Sequence, residues 1–194
     1  MLLLDLYLLR PTPFRHAWEN PRSPYLVSGF LIATGVIYGL LLALFNLSIG
    51  EIKGVSLEGL SGASRTWFFV YSVAVGLMTV VAVHLGITIV TWLMARAIGG
   101  PGLLVGLYRV TAYLLPLGWP ALPQLARTVV ASTAESVPSL PLQWAYLPLA
   151  ALGLALFFAG LFQIFVLTQG KGPVRSAAGV LFFVVFSFAV FLMF

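Results

Sequence analysis

Charged residues are so widely spaced along this chain that four long intervals contain none. No Asp, Glu, Lys or Arg occurs in the 28 residues between Arg22 and Glu51, the 30 between Arg65 and Arg96, the 35 between Glu135 and Lys171, or the 19 after Arg175. A bilayer-spanning helix needs about 20 predominantly apolar residues, so each interval has room for one crossing. Of the 194 residues, 61% are hydrophobic and 8% charged, against roughly 45–50% and 25% in soluble domains. Lipid must therefore be the solvent for most of this chain. Cysteine is absent, which excludes disulfides, thiolate metal ligation and thiol catalysis.

The intervals place crossings at about 24–47, 67–98, 143–168 and 176–194. A fifth, the third in order, is expected over 103–130. Its first 13 residues, 103–115, would reach only about 20 Å as a helix. Pro116, Pro120 and Pro123 then interrupt it, each removing a donor and crowding the preceding turn. The expectation is an all-α polytopic membrane protein forming one domain over 1–194, with five crossings, the third kinked or broken. The segment 1–23 reads as a short helix lying in the interface or packing on the bundle, with Trp18 and Tyr25 able to anchor the headgroup level. With the N-terminus inside, Arg10, Arg15, Arg22, Arg96, Arg109, Lys171 and Arg175 are cytoplasmic, and Lys53, Arg65 and Arg127 are not. Seven against three predicts N-terminus in and C-terminus out. The net charge of +5 then reads as topology and anionic-lipid contact, with no nucleic-acid partner.

Three stretches carry a family resemblance. The first is Pro11-Thr-Pro-Phe-Arg-His-Ala-Trp-Glu-Asn-Pro21, just before the first crossing. The second is Val83-His-Leu-Gly-Ile-Thr-Ile-Val-Thr-Trp-Leu-Met-Ala-Arg-Ala-Ile-Gly-Gly100, followed by Tyr108-Arg-Val-Thr-Ala-Tyr113 and Pro116. The third is the Gly170-Lys-Gly-Pro173 turn. In this order the chain resembles the bacterial branch of the Yip-domain (Ypt/Rab-interacting protein) family. The resemblance implies five crossings and a non-enzymatic membrane protein; eukaryotic members act in vesicle trafficking and bind lipidated Rab-type GTPases. Asp5-Leu6-Tyr7 matches the start of their Asp-Leu-Tyr-Gly-Pro motif but runs on into Leu8-Leu9, and GTPase binding is not carried over.

His84 falls near the middle of the second crossing, where an ionisable group is a functional hypothesis by default. Thr88 and Thr91 follow at i+4 and i+7, on the same helix face. The patch, with Gln163 on the fourth crossing, serves either a proton, lipid or partner, or simply interhelical hydrogen bonding; the second is expected. Arg96, Arg109, Lys171 and Arg175 are candidate lipid-headgroup contacts. Arg109 is expected to snorkel; alternatively Arg96 and Arg109 would hold a phosphate with the amides of the 99–102 turn. Gly35, Gly39 and Ala43, and Ala151, Ala155 and Ala159, form small-residue stripes of the kind that let membrane helices approach. Packing within the bundle accounts for one stripe, and the other leaves room for a partner.

The five acidic residues all fall outside the expected crossings, so paired-aspartate proteolysis has no basis, and neither a metal nor another cofactor is expected beyond possible bound lipid. The expected function is a non-catalytic scaffold or accessory subunit of a bacterial cytoplasmic membrane. It would associate with lipids, other membrane proteins or itself. A small permease or lipid transporter working at His84 and the broken third helix is the alternative, and a remodelling protein using its N-terminal segment as a wedge is a third.

Overall fold

The computed structural model describes residues 2–20, 24–49, 51–52, 55–56, 62–132, 143–170 and 172–193, and nearly all of them are helical. The helices are α1 (Leu2–Tyr7), α2 (Pro11–Glu19), α3 (Pro24–Ile49), α4 (Gly62–Ala97), α5 (Leu104–Thr111), α6 (Leu114–Leu117), α7 (Leu122–Ala131), α8 (Gln143–Gln169) and α9 (Pro173–Met193). A short 3-10 turn, Trp119–Ala121, joins α6 to α7. The departure from helix is a small antiparallel pair, Glu51↔Ser56 and Ile52↔Val55, which the hydrophobic pattern did not announce.

Among the described residues three helices are long and apolar enough to cross a membrane: 25 residues in Tyr25–Ile49, 36 in Gly62–Ala97 and 27 in Gln143–Gln169. At 1.5 Å per residue α4 is about 54 Å long, well beyond the ~30 Å of a hydrocarbon core. Shorter apolar stretches occupy Leu104–Leu117 and Pro173–Ala189. Near its end α4 is closed by a Schellman pattern. Gly99 takes φ 77, Gly99 N–H donates to Arg96 O and Gly100 N–H to Ala95 O. The same pattern ends α1 with a leucine: Leu9 sits at φ 52, with Leu9 N–H on Leu6 O and Arg10 N–H on Asp5 O. Arg10 also pairs with the Asp5 carboxylate at 2.7 Å, a contact that helps hold a conformation leucine rarely adopts.

Contacts divide the chain into two compact units, 31–81 with 118–154, and 1–30 with 82–117 and 155–194. In the first, α3 and α4 meet backbone to backbone. A Cβ added at Gly39 would stand 2.5 Å from Ser72 O and 2.6 Å from Val73 Cα, and one at Gly35 would stand 2.8 Å from Leu77 Cα. From the other side, a Cβ at Gly76 would lie 2.6 Å from Gly39 Cα. Ala43 is buried on the same face. The Gly35–Gly39–Ala43 stripe is thus used inside the bundle. Trp119 donates its indole N–H to Thr34 Oγ1 at 2.8 Å, and Gly153 of α8 lies against Ala121.

In the second unit α1 and α2 pack on α5 and α6. Leu6, Phe14 and Ala17 are fully buried, and the Trp18 ring lies over Gly106, where a Cβ would be 2.5 Å away. The N-terminal helices thus pack on α5 and α6. Residues 111–117 are all buried. This is where the expected third crossing is broken, into α5 and α6 and then onward to α7. Irregular backbone at membrane depth is tolerated only when protein encloses it.

Each carbonyl that the three prolines deprive of a helical donor finds another. Pro116 has no N–H for Ala112 O, which accepts from Leu115 N–H at 3.2 Å. Pro120 has none for Pro116 O, which accepts the Tyr7 hydroxyl at 2.7 Å. Pro123 has none for Trp119 O, which accepts from Leu122 N–H.

Candidate functional site: a buried histidine–threonine node

His84, Thr88 and Thr91 share a face of α4, and the fold turns it inward: they are 1%, 2% and 0% exposed. Their neighbours Val83, Leu85 and Ile89 point outward, the arrangement expected when apolar side chains face lipid and polar ones face protein. Opposite stands Thr111, on the last turn of α5 and fully buried. Its Oγ1 lies 3.2 Å from His84 Nε2 and 2.9 Å from Thr88 Oγ1.

Counting protons orders these contacts. Each threonine has one hydroxyl proton, and Thr88 donates to His84 O at 2.8 Å. If His84 carries its proton on Nε2, it donates to Thr111. Thr111 then donates to Thr88 or to Leu107 O at 2.8 Å. The order His84 ring, Thr111, Thr88, His84 carbonyl closes on itself with a donor at every step. The Tyr108 ring tilts against the imidazole with centroids 4.7 Å apart, and the Tyr108 backbone also meets it. In this tautomer Nδ1 is a bare acceptor, and it is buried without a hydrogen-bond partner among the described residues, as are Thr91 Oγ1 and Tyr113 Oη. Tyr113 packs edge-on against Phe30 at 5.0 Å.

Thr111 was not singled out in the sequence. It sits inside Tyr108-Arg-Val-Thr-Ala-Tyr113, and the available signal was that a mid-membrane histidine needs a facing hydroxyl or amide. Gln163 is half-buried and does not join the node. Gln169, at the end of α8, is 3% exposed and does make side-chain hydrogen bonds. Its Oε1 accepts Gly102 N–H at 3.4 Å and its Nε2 donates to Thr168 Oγ1 at 2.7 Å.

That contact bears on the alternative reading, a phosphate held at the 99–102 turn. The turn 99–102 has three N–H groups, since residue 101 is proline, and all three are occupied: Gly99 and Gly100 on carbonyls of α4, Gly102 on Gln169. The turn therefore has no amide left to offer an anion. Arg96 is exposed and lies 5.7 Å from the Trp92 ring centre, while Trp92 donates to Gly102 O at 2.8 Å. Among the described residues Arg109 makes no hydrogen bond to this loop. It donates to Asn20 O at 2.8 Å, placing a cation on the C-terminal end of α2, where the helix dipole favours one. Arg175 is exposed in the first turn of α9, and Lys171 lies outside the described residues. On α8, Ala151 and Ala155 are exposed and Ala159 is half-buried. Gly153 and Gly160 instead make the close inward contacts, Gly160 against Leu117 and Leu114. Among the described residues no three His, Cys, Asp or Glu side chains come together as metal ligands.

Fold and node together define a helical integral membrane protein whose described interior polar groups hydrogen-bond to one another and to the backbone of their own helices. No protein-family model, curated protein or solved structure matches the chain.

Proposed function

We propose that the chain is a non-catalytic scaffold or accessory subunit of a bacterial cytoplasmic membrane, of the Yip-domain type, associating with other membrane proteins and lipids through its helix faces. In this reading α3, α4 and α8 are the first, second and fourth crossings, α5–α7 the broken third and α9 the fifth, with the N-terminus inside. One observation carries it. The buried hydroxyls and imidazole of the node bond to one another and to their own helices, while α8 leaves Ala151 and Ala155 uncovered between exposed Leu147, Leu152 and Leu154. An uncovered small-residue face is what helix association in lipid uses. The test is native mass spectrometry of the chain extracted gently from its own membrane. A stoichiometric protein companion, lost in Ala155→Leu, is expected; a chain that remains monomeric and partnerless while moving a solute across liposomes would sink the proposal.

The unpartnered His84 Nδ1 favours a second reading, a small permease working at that nitrogen. There His84→Leu should abolish solute flux in proteoliposomes, and an unchanged rate removes the site.

A further inference from the structure

Two faces of α9 do different things. Ser176, Gly179 and Phe183 are buried, with Gly179 against the Phe165 ring, where a Cβ would be 3.3 Å away, and Phe183 6.3 Å from Phe157. Beside that face Phe182, Val185, Phe186 and Ala189 form one wall of an open groove of about 450 Å³, and Met94 and Ala97 of α4 form the other. Among the described residues no polar side chain lines it. The volume lies within the range that holds small ligands, and the lining provides nothing for a hydrated one.

Arg175 precedes Phe182 by seven residues and Ala189 by fourteen, which puts it on the groove face of the helix, about 10 Å along the axis from Phe182. It is exposed. The ion pair found among the described residues is Arg10 with Asp5, so no described acid neutralises Arg175. Arg96 is held at Trp92 and Arg109 at Asn20, whereas Arg175 has no such contact among the described residues. An apolar trough with an uncompensated cation off one end complements a molecule with an anionic head and a hydrocarbon tail. A partner helix would fill the trough without using the arginine.

We propose that this groove is a binding site for an anionic phospholipid, one acyl chain lying between α4 and α9 and the phosphate against Arg175. The site rests on the membrane-spanning reading given above and gives it a defined lipid partner.

The test is native mass spectrometry of the full chain in detergent, with phosphatidylglycerol and phosphatidylcholine of matched acyl chains added together. Wild type should retain phosphatidylglycerol with about a fivefold preference, the value of one arginine near a membrane surface. Arg175→Gln should bring the two lipids to parity. Ala97→Phe and Ala189→Phe, both at exposed positions, should reduce retention of either lipid with helix content unchanged by circular dichroism. The proposal is overturned if Arg175→Gln leaves the preference intact, or if both groove-filling variants keep wild-type retention. A protein companion displaced by Ala97→Phe with lipid retention unaltered also overturns it, and assigns the groove to a helix. The two proposals fail separately: absence of any companion protein with the lipid preference intact sinks the scaffold and leaves the lipid site.

Discussion

Tyr7→Phe isolates one hydrogen bond that the fold depends on. Pro116 O lacks a helical donor because residue 120 is proline, and the Tyr7 hydroxyl supplies one at 2.7 Å to a residue that is itself buried. Removing the hydroxyl keeps the ring and its packing but strands the carbonyl. An unsatisfied buried acceptor costs about 1–3 kcal/mol; because the bond is only partly buried, the lower half of that range is expected, about 1–2 kcal/mol. The discriminating partner is Pro120→Ala, which restores an N–H four residues after Pro116, where the chain keeps helical geometry: Gly118 takes φ −78 and ψ −11. In the Pro120→Ala background Tyr7→Phe should cost less than about 0.5 kcal/mol, the scale of a substitution that breaks nothing. Unfolding in detergent, followed by circular dichroism across the four variants, measures the coupling. Equal costs in both backgrounds would refute the reasoning, since Tyr7 would then act by packing alone.

Burial also raises the Tyr7 pKa above the ordinary tyrosine value near 10. A raised folded pKa means its contribution is complete below pH 10 and is lost as pH climbs through the folded value; the stability gap between wild type and Tyr7→Phe should be flat from pH 7 to about 9 and shrink above about 10. Gly76→Ala should destabilise by about 1–3 kcal/mol, because its Cβ meets the backbone of Gly39. Gly86→Ala, with nothing within 4 Å, should stabilise by about 0.5–1 kcal/mol in the same unfolding assay. A double-mutant cycle of His84→Leu and Thr111→Val should give a coupling of about 0.6 kcal/mol and no more than about 1.7 kcal/mol, the range measured for hydrogen bonds within membranes. Arg109→Gln should weaken the end of α2 by about 0.3–1 kcal/mol, seen as faster amide exchange at Asn20, whose N–H caps the helix on His16 O.

The long helices were legible because lipid exposure leaves a one-dimensional record: α3 and α8 have no charge from end to end, and their bounds fall within two residues of those read from charge spacing. The broken segment was legible too, since three prolines in eight residues cannot continue a helix. Facing was not. Both small-residue stripes have the same i, i+4, i+8 spacing, yet Gly35 and Gly39 turn inward because Gly76 on α4 lets the backbones touch, while Ala151 and Ala155 turn outward. Only the pairing of helices decides between them, and no single helix records its partner. For the same reason His84 was visible and Thr111 was not, and Gln163 looked more promising than Gln169. The face that buries Gln169 exists only once the 99–102 turn packs against it. The strand pair at Glu51–Ile52 and Val55–Ser56 is too short to leave a periodic signature at all.

A helix interrupted inside a membrane protein commonly marks a transport site, where unwound carbonyls face an ion or substrate. The interruption here differs in one respect. The Ala112, Pro116 and Trp119 carbonyls, which the prolines deprive of helical donors, are each taken by a donor of the chain itself, and the segment 111–117 is buried throughout. A break whose carbonyls are already satisfied has nothing to exchange for a hydration shell, so it supports a packing role for the prolines: they turn the chain sharply enough for α1 and α2 to seat on α5 and α6. This also gives the N-terminal helices a reason to be where they are. Tyr7 comes from a helix of six residues, too short to be stable alone, so it is in place only because Leu6 is buried beneath it. The prolines and the N-terminal helices thus depend on each other. Deleting residues 2–9 should therefore loosen the 111–117 segment, with faster amide exchange there than in α8, whereas a free interfacial wedge would be removed without any effect on that exchange.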